Sequence, residues 1–434
     1  MEEKTQKLEA KLGFDRIRQM VADRCSTDYA SDRVMSEEFC TDAVKIRRRL
    51  ILTDEMRLIL MFEESFPATG YIDAIPFLEP LQKDGSRIDV LSLGKLKTIL
   101  DTIRRIVHFF GTVKDGVYPN LKGLSRSINT FPEVQRRIEQ ILDKYGDIKD
   151  SASDTLFDIR KNLRGKEGSI SKKAAAILAQ AQAAGIADSD AGVTVREGKY
   201  LIPVASSAKR KMSGFVYGES ATGKTSYIEP AELIDLENEI AELRFAETRE
   251  IERILAEFTE FLRPYIPELL AGAAFVGEID FLMAKARTAL DLRAGMPVIA
   301  DDGTLNLRKA RHPLLDPKKA VPIDLTLGKD FEMLIITGPN TGGKTVTLKT
   351  IGLFILMAKA GMFLPCTFAK IYPFKNVYAD IGDSQNILQS LSTFSSHMTN
   401  IIEVLKQSNN ESFVLLDEIC AGTDPVEGAV LAQG

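Results

Sequence analysis

Apolar residues recur three and four positions apart over Leu12–Cys25 and again over Ala43–Glu64, the spacing of helices with one buried face. Three prolines and a glycine interrupt the pattern at Phe66–Pro80, which predicts a loop or short-strand passage. Helical spacing resumes over Leu93–Thr112. Between Phe131 and Gly185 the chain turns charged and alanine-rich, as in extended helices that project from a body. Val193–Pro230 then changes period: β-branched and aromatic residues with glycine punctuation predict a small group of strands. A second long helical stretch, Ala231–Leu262, follows. Two long helices with a β insert between their far ends make an arm with a tip. After Ala300 the pattern alternates. Phe331–Thr337 and Ser412–Glu418 read as buried strands, Val346–Gly361 and Asn400–Gln407 as helices, together implying a parallel α/β sheet.

Composition narrows the class. The chain has 434 residues, with 56 Lys+Arg against 61 Asp+Glu, a formal charge of −5. That length allows two to four domains, and the near-neutral total excludes a strongly basic chromatin-type binder. The opening MEEKTQKLEAKL is charged and helical, unlike a leader, and the longest apolar stretch, Ile351–Ala358, is too short to cross a bilayer. Cys25, Cys40, Cys366 and Cys420 lack metal-ligand spacing and read as reduced thiols of a cytoplasmic protein.

The phosphate-loop pattern GxxxxGK[ST] occurs at Gly218–Thr225 and at Gly338–Thr345. The chemistry needs a strand that delivers the loop and a helix that starts at its end, so that free N–H groups face the phosphates. Gly218–Thr225 is followed by extended residues and Pro230, so it reads as a hairpin turn in the insert. Gly338, Pro339, Asn340, Thr341, Gly342, Gly343, Lys344 and Thr345 run from an apolar segment into an apolar-striped helix. There, N–H groups from Asn340 to Thr345 would cradle phosphates, Lys344 would reach the β/γ oxygens, and the Thr345 hydroxyl would sit on Mg²⁺. About seventy residues on, Asp417 and Glu418 end an apolar strand. Adjacent carboxylates there are costly without a partner, and a metal and a water supply one. Asp417 would hold Mg²⁺ and Glu418 would polarise the attacking water, so we expect an ATP- or GTP-hydrolysing site. The resulting division is a helical core domain over 1–125, lever helices with the β clamp insert over 126–300, and a P-loop ATPase domain over 301–434.

Several segments resemble one family. Gly338–Thr345, Leu415–Glu418 with Ala421–Pro425, and Arg311–Pro313 look like the MutS family of ABC-type ATPases. Asp380–Asp383 followed by Ser392–Met398 is similar to the family's signature segment. The Ser-Ser-His-Met form, with His397, together with Tyr200–Val204 and Thr225–Pro230, looks like the second, Smr-bearing bacterial paralogue. Mismatch-repair MutS carries a mismatch-reading domain and connector for which this chain has no room. Its Phe-x-Glu match at Phe62–Glu64 lies in a helical run.

The resemblance implies ATP and Mg²⁺ as cofactors and a homodimer whose sites are completed across the interface. Ser392 and Thr393 would approach the partner's γ-phosphate, with Gly422–Asp424 along the same seam; from the residues alone, Ser392 could equally be a helix cap. His312 and His397 could be packed loop histidines or nucleotide contacts. Adenine contacts are not legible. An ABC-type sheet needs further strands, so the resemblance implies a domain incomplete after Gly434, with any endonuclease in an Smr domain.

Basic clusters mark where a polymer could bind. Asp158–Lys173 carries six basic residues against two acids, and Arg196–Lys211 carries Arg196, Lys199, Lys209, Arg210 and Lys211 against Glu197. The first could be a solvated helix face; for the second, at the tip, we expect sequence-independent contact with phosphates. The resemblance implies two settings for an ATP-closed clamp, suppression of recombination on branched DNA or splitting of collided ribosomes through ribosomal RNA. A mismatch-repair MutS, an ABC transporter subunit (whose LSGGQ signature is lacking) and a helical scaffold are the alternatives.

Overall fold

The computed structural model describes residues 2–338, 343–382 and 390–419, the side chains of Glu2 and of 390–397 excepted. Their contacts divide the chain into two units. One comprises the described parts of Met1–Ile75, Thr98–Thr130 and Glu268–Gly434; the other comprises Pro76–Lys97 and Phe131–Pro267.

The second unit is the arm. Helices Asp154–Ala183 and Ala231–Leu262 pair along their length, with Ile170 and Ala174 of one packed on Leu233 and Ile240 of the other. The Ser153 hydroxyl accepts from Leu156 N–H and caps the first helix. Gly185, at φ 67, ends it: Ile186 N–H reaches back to Ala181 O at 2.8 Å and puts Ile186 onto the insert's core. Between the helices lie β1 (Thr194–Arg196), β2 (Lys199–Ala205), β3 (Gly214–Glu219) and β4 (Thr225–Pro230), an antiparallel sheet in the order β1-β2-β4-β3. Glu197 and Gly198, at φ 51 and 81, make the two-residue turn between β1 and β2. Gly218–Thr225, the first phosphate-loop match, is the β3–β4 hairpin, with Gly223 at φ 66, as its spacing predicts.

The first unit carries the helices Glu2–Leu12, Phe14–Ala22, Asp28–Met35 and Ala43–Phe62, then most of Ile266–Asp291. Phe66–Pro80 is loop with a short helix Ile75–Leu78, and Phe62 is an exposed last helical residue. After residue 297 come β5 (Val298–Ile299), β6 (Leu305–Ala310), β7 (Ile323–Leu327), β8 (Phe368–Ile371), β9 (Asn376–Asp380) and β10 (Ser412–Leu416). Helix Lys344–Lys359 lies between β7 and β8, and helix Ser390–Gln407 between β9 and β10.

Two expectations need correction here. The strands are not all parallel: in the sheet β5-β8-β6-β7, β6 runs antiparallel to both neighbours while β5 and β8 are parallel, and the predicted strand at Ser412–Glu418 pairs in parallel with β9. Phe331–Thr337 is not a paired strand. Met333 and Ile335 are 77 % and 76 % exposed, because a run apolar on both faces needs cover and ladder partners that no described residue supplies.

Candidate functional site

The site is built where helix Lys344–Lys359 begins. Gly343 takes φ 82, a left-handed conformation that turns the incoming chain onto the helix axis, and its carbonyl accepts from Thr347 N–H at 2.9 Å. The preceding N–H groups of the first turn have no intrahelical acceptor, and the dipole places positive potential there. Lys344 folds back so that Nζ donates to Gly338 O at 2.5 Å, holding its charge over the mouth of the loop. The four residues between, Pro339, Asn340, Thr341 and Gly342, lie outside the described residues.

Across the mouth stands β10. Its register with β9 pairs Leu416 with Asp380, so both strands present a carboxylate where the parallel ladder ends, the edge at which open α/β sheets take ligands. Thr345 Oγ1 donates to Asp417 Oδ2 at 2.5 Å, and Asp417 N–H donates to Asp380 O at 3.0 Å. Asp380 is buried and accepts from Asn400 Nδ2 at 3.3 Å. Asp380 is the site residue that the sequence analysis treats only as part of a signature segment. Its signal was a lone acid closing the strand-like run Asn376–Asp380. Glu418 is exposed and sits at φ 49, a left-handed conformation unusual for a non-glycine residue, at the turn after the strand.

The helix is anchored behind the mouth. A Cβ on Gly352 would lie 2.6 Å from Leu415 Cδ1 and 2.8 Å from Leu12 Cδ2, so a bare backbone lets the helix, β10 and the N-terminal helix close on one another. At its negative end, buried Lys285 donates to Ala360 O at 2.8 Å, Cys40 N–H to Lys359 O at 3.2 Å and Thr53 Oγ1 to Gly361 O at 3.3 Å. Burial lowers Lys285 and Lys359 to about 8, which leaves both charged at neutral pH. Lys359 donates to Phe374 O at 2.6 Å. His312 accepts from Leu314 N–H on Nδ1, and burial, with Lys349 and Arg16 nearby, lowers it to about 4. It is therefore a neutral, hydrogen-bonded loop histidine.

Ser392 and Thr393 fall within helix Ser390–Gln407, but their side chains, with that of His397, lie outside the described residues, as does Gly422–Asp424. Among the described residues no three of His, Cys, Asp and Glu gather as a metal-ligand group.

At the tip, Lys199 pairs with Glu229 at 2.5 Å and Lys209 with Glu219 at 3.1 Å, while the Arg196 guanidinium lies 4.2 Å from the Tyr227 ring centroid. Arg210 and Lys211 are exposed, with no ion pair among the described residues. On the arm, Arg160 pairs with Asp150 and Glu247, Arg164 with Asp150, and Lys166 with Glu239, while Lys161, Lys172 and Lys173 are exposed with no ion pair among the described residues. No helix of the described residues is long and apolar enough to cross a membrane.

Residues 334–434 match the family described as MutS domain V. The protein named endonuclease MutS2 of Geobacillus sp. (strain WCH70) is 40 % identical over 427 residues, covering 97 % of this chain and 54 % of that one. The protein of the same name from Listeria innocua is 40 % identical over 429 residues, 98 % of this chain and 54 % of its own. That of Lacticaseibacillus paracasei is 38 % identical over 429 residues, 97 % and 53 %. The chain thus spans about half the length of the curated relatives it matches. On these matches the chain belongs to the MutS family, and over nearly its whole length it is similar to proteins that carry the name MutS2.

Proposed function

We propose that this chain is the nucleotide-binding part of a MutS-type ATPase that grips structured nucleic acid between arms, as a homodimer. The observation that carries the proposal is the 2.5 Å contact between Thr345 Oγ1 and Asp417 Oδ2 at the open start of helix Lys344–Lys359. A hydroxyl and a carboxylate from elements seventy-two positions apart meet at a helix N-terminus, where the positive dipole end and a folded lysine favour phosphate.

In this proposal Thr345 and Asp417 would hold Mg²⁺, which would supply charge neutralisation for the phosphate oxygens of ATP. Lys344 exchanges Gly338 O for those oxygens, and the backbone from Gly338 to Thr345 surrounds the phosphates. Asp380 fixes the Asp417 backbone. Glu418, exposed at the turn after β10, takes a proton from the attacking water. Ser392 and Thr393 complete the partner's site, and the insert sheet meets nucleic acid through Arg196, Lys199, Lys209, Arg210 and Lys211. The word endonuclease in the relatives' names describes proteins about twice as long.

Phosphate release with ATP and Mg²⁺, measured in a version as long as the relatives, tests the site. Glu418→Gln is expected to lower turnover by about 10²- to 10⁴-fold while ATP affinity is kept, and Lys344→Ala to lose both. Parent-like hydrolysis by Lys344→Ala would overturn the assignment. Retention on purified ribosomes against branched DNA, each with ATP, separates the two settings.

A further inference from the structure

The insert sheet has two unlike faces. Ile202, Val204 and Ile228 point to one side and pack with Leu178 and Ala181 of the arm helix. The opposite side carries aromatic rings and cations. Register sets Phe215 opposite Glu229 and Pro203 opposite Tyr227, so Phe215, Tyr227 and Lys199 share that side. Arg196 lies over the Tyr227 ring, and Tyr217 donates its hydroxyl to Glu197 in the β1–β2 turn, spanning the same side. Phe215 is 66 % exposed on the edge strand, and Tyr217 is partly exposed beside it. Arg210 and Lys211, without ion pairs among the described residues, stand five and four positions upstream of Phe215.

We propose that this outward face is a stacking platform for unpaired nucleobases, with Phe215 as the principal ring and Arg210 and Lys211 on the flanking phosphates. It rests on the nucleic-acid reading above and adds a substrate class to it. A phenyl ring offers no hydrogen bond to a duplex backbone, and a paired base shows only its edge in the grooves. Its π-face is available once the base is unstacked. A ring exposed on an edge strand that follows two unpaired cations by four and five positions therefore favours splayed or single-stranded segments, the feature that branched or folded nucleic acids have and a continuous duplex lacks. Addition of a second copy's strand along β3 is opposed by the irregularity at Val216/Gly218, which breaks the regular edge.

The chain has no tryptophan, so Phe215→Trp supplies a single emitter on the platform. Anisotropy of labelled oligothymidylate, oligouridylate and a blunt DNA duplex of equal length, at low salt, reads affinity for each. Phe215→Ala is expected to weaken binding of the unpaired strands roughly 5- to 150-fold and of the duplex by less than about twofold. Phe215→Trp is expected to keep affinity and to lose emission when either unpaired strand saturates it. Loss for thymidylate alone or uridylate alone assigns the platform to DNA or to RNA. Equal effects of Phe215→Ala on duplex and unpaired strands, no effect on either, unchanged emission from Phe215→Trp, or a dimer that Phe215→Ala converts to monomer in sedimentation would each overturn the platform. If Arg210→Glu with Lys211→Glu weakens every probe while Phe215→Ala weakens none, only the platform fails. If the parent binds no probe, the nucleic-acid reading fails with it.

Discussion

His312 shows how a single side chain is committed by its surroundings. It accepts a backbone hydrogen bond, and burial with Lys349 and Arg16 lowers it to about 4, so its proton is refused at neutral pH. An unfolded histidine titrates near 6.5, and between these values the unfolded chain binds more protons than the folded one. Stability should therefore fall as pH drops from about 6.5 to about 4, by up to roughly 2–3 kcal/mol from this group. His312→Gln keeps an acceptor without a proton site. The difference in urea midpoint between parent and variant should grow across that window and be flat above pH 7. Because carboxylates titrate at the low end, the difference between the two proteins, and not either curve, carries the test. Asp380 makes the complementary point. It is buried on a backbone and an amide contact, and nothing in its local letters separated it from an ordinary strand-end acid. Lys344, Thr345, Asp417 and Glu418, by contrast, were legible because phosphate and metal chemistry demand those side chains at those spacings.

Elements were legible where one period persisted. The arm helices, the helix after the phosphate loop and the four-stranded insert follow from period 3.6 and period 2 over long stretches. Leu305–Ala310 and Ile323–Leu327 did not, since short strands with charged or polar residues on a solvated face carry little periodic signal. Phe331–Thr337 failed in the other direction: its apolar letters describe cover and pairing that must come from elsewhere, so the run alone could not report whether a ladder forms. Gly352 is an element-scale residue, mid-helix and costly for helix propensity, yet required by packing. Its missing Cβ is the space taken by Leu12 and Leu415. Gly352→Ala should destabilise the first unit by about 1–3 kcal/mol, as overpacked cores do. The expected sign is a lower urea midpoint with unchanged slope. A stabilised variant, as bare helix propensity would give, would show that the three elements are not in register.

At the scale of the whole molecule, an acidic chain must concentrate any nucleic-acid surface, and the ion pairs indicate where. Both basic clusters carry the same net charge in the sequence, and each is part paired: Arg160, Arg164 and Lys166 of the arm are committed to Asp150, Glu247 and Glu239, and Lys199 and Lys209 of the tip to Glu229 and Glu219. Arg210 and Lys211 form no ion pair among the described residues and remain available to phosphates. Only cations that release counterions from the polymer contribute to salt dependence, so unpaired and paired cations should separate when affinity for a DNA duplex is followed against salt. Neutralising Arg210 and Lys211 to glutamine should weaken binding and flatten the slope of log affinity against log salt by about one per residue. Neutralising Arg164 and Lys166 should leave that slope unchanged while releasing Asp150 and Glu239, with any loss confined to arm stability. Equal flattening by the two pairs of variants would mean that the arm's ion pairs open for the polymer, and the contact surface would then run along the helices as well as over the tip.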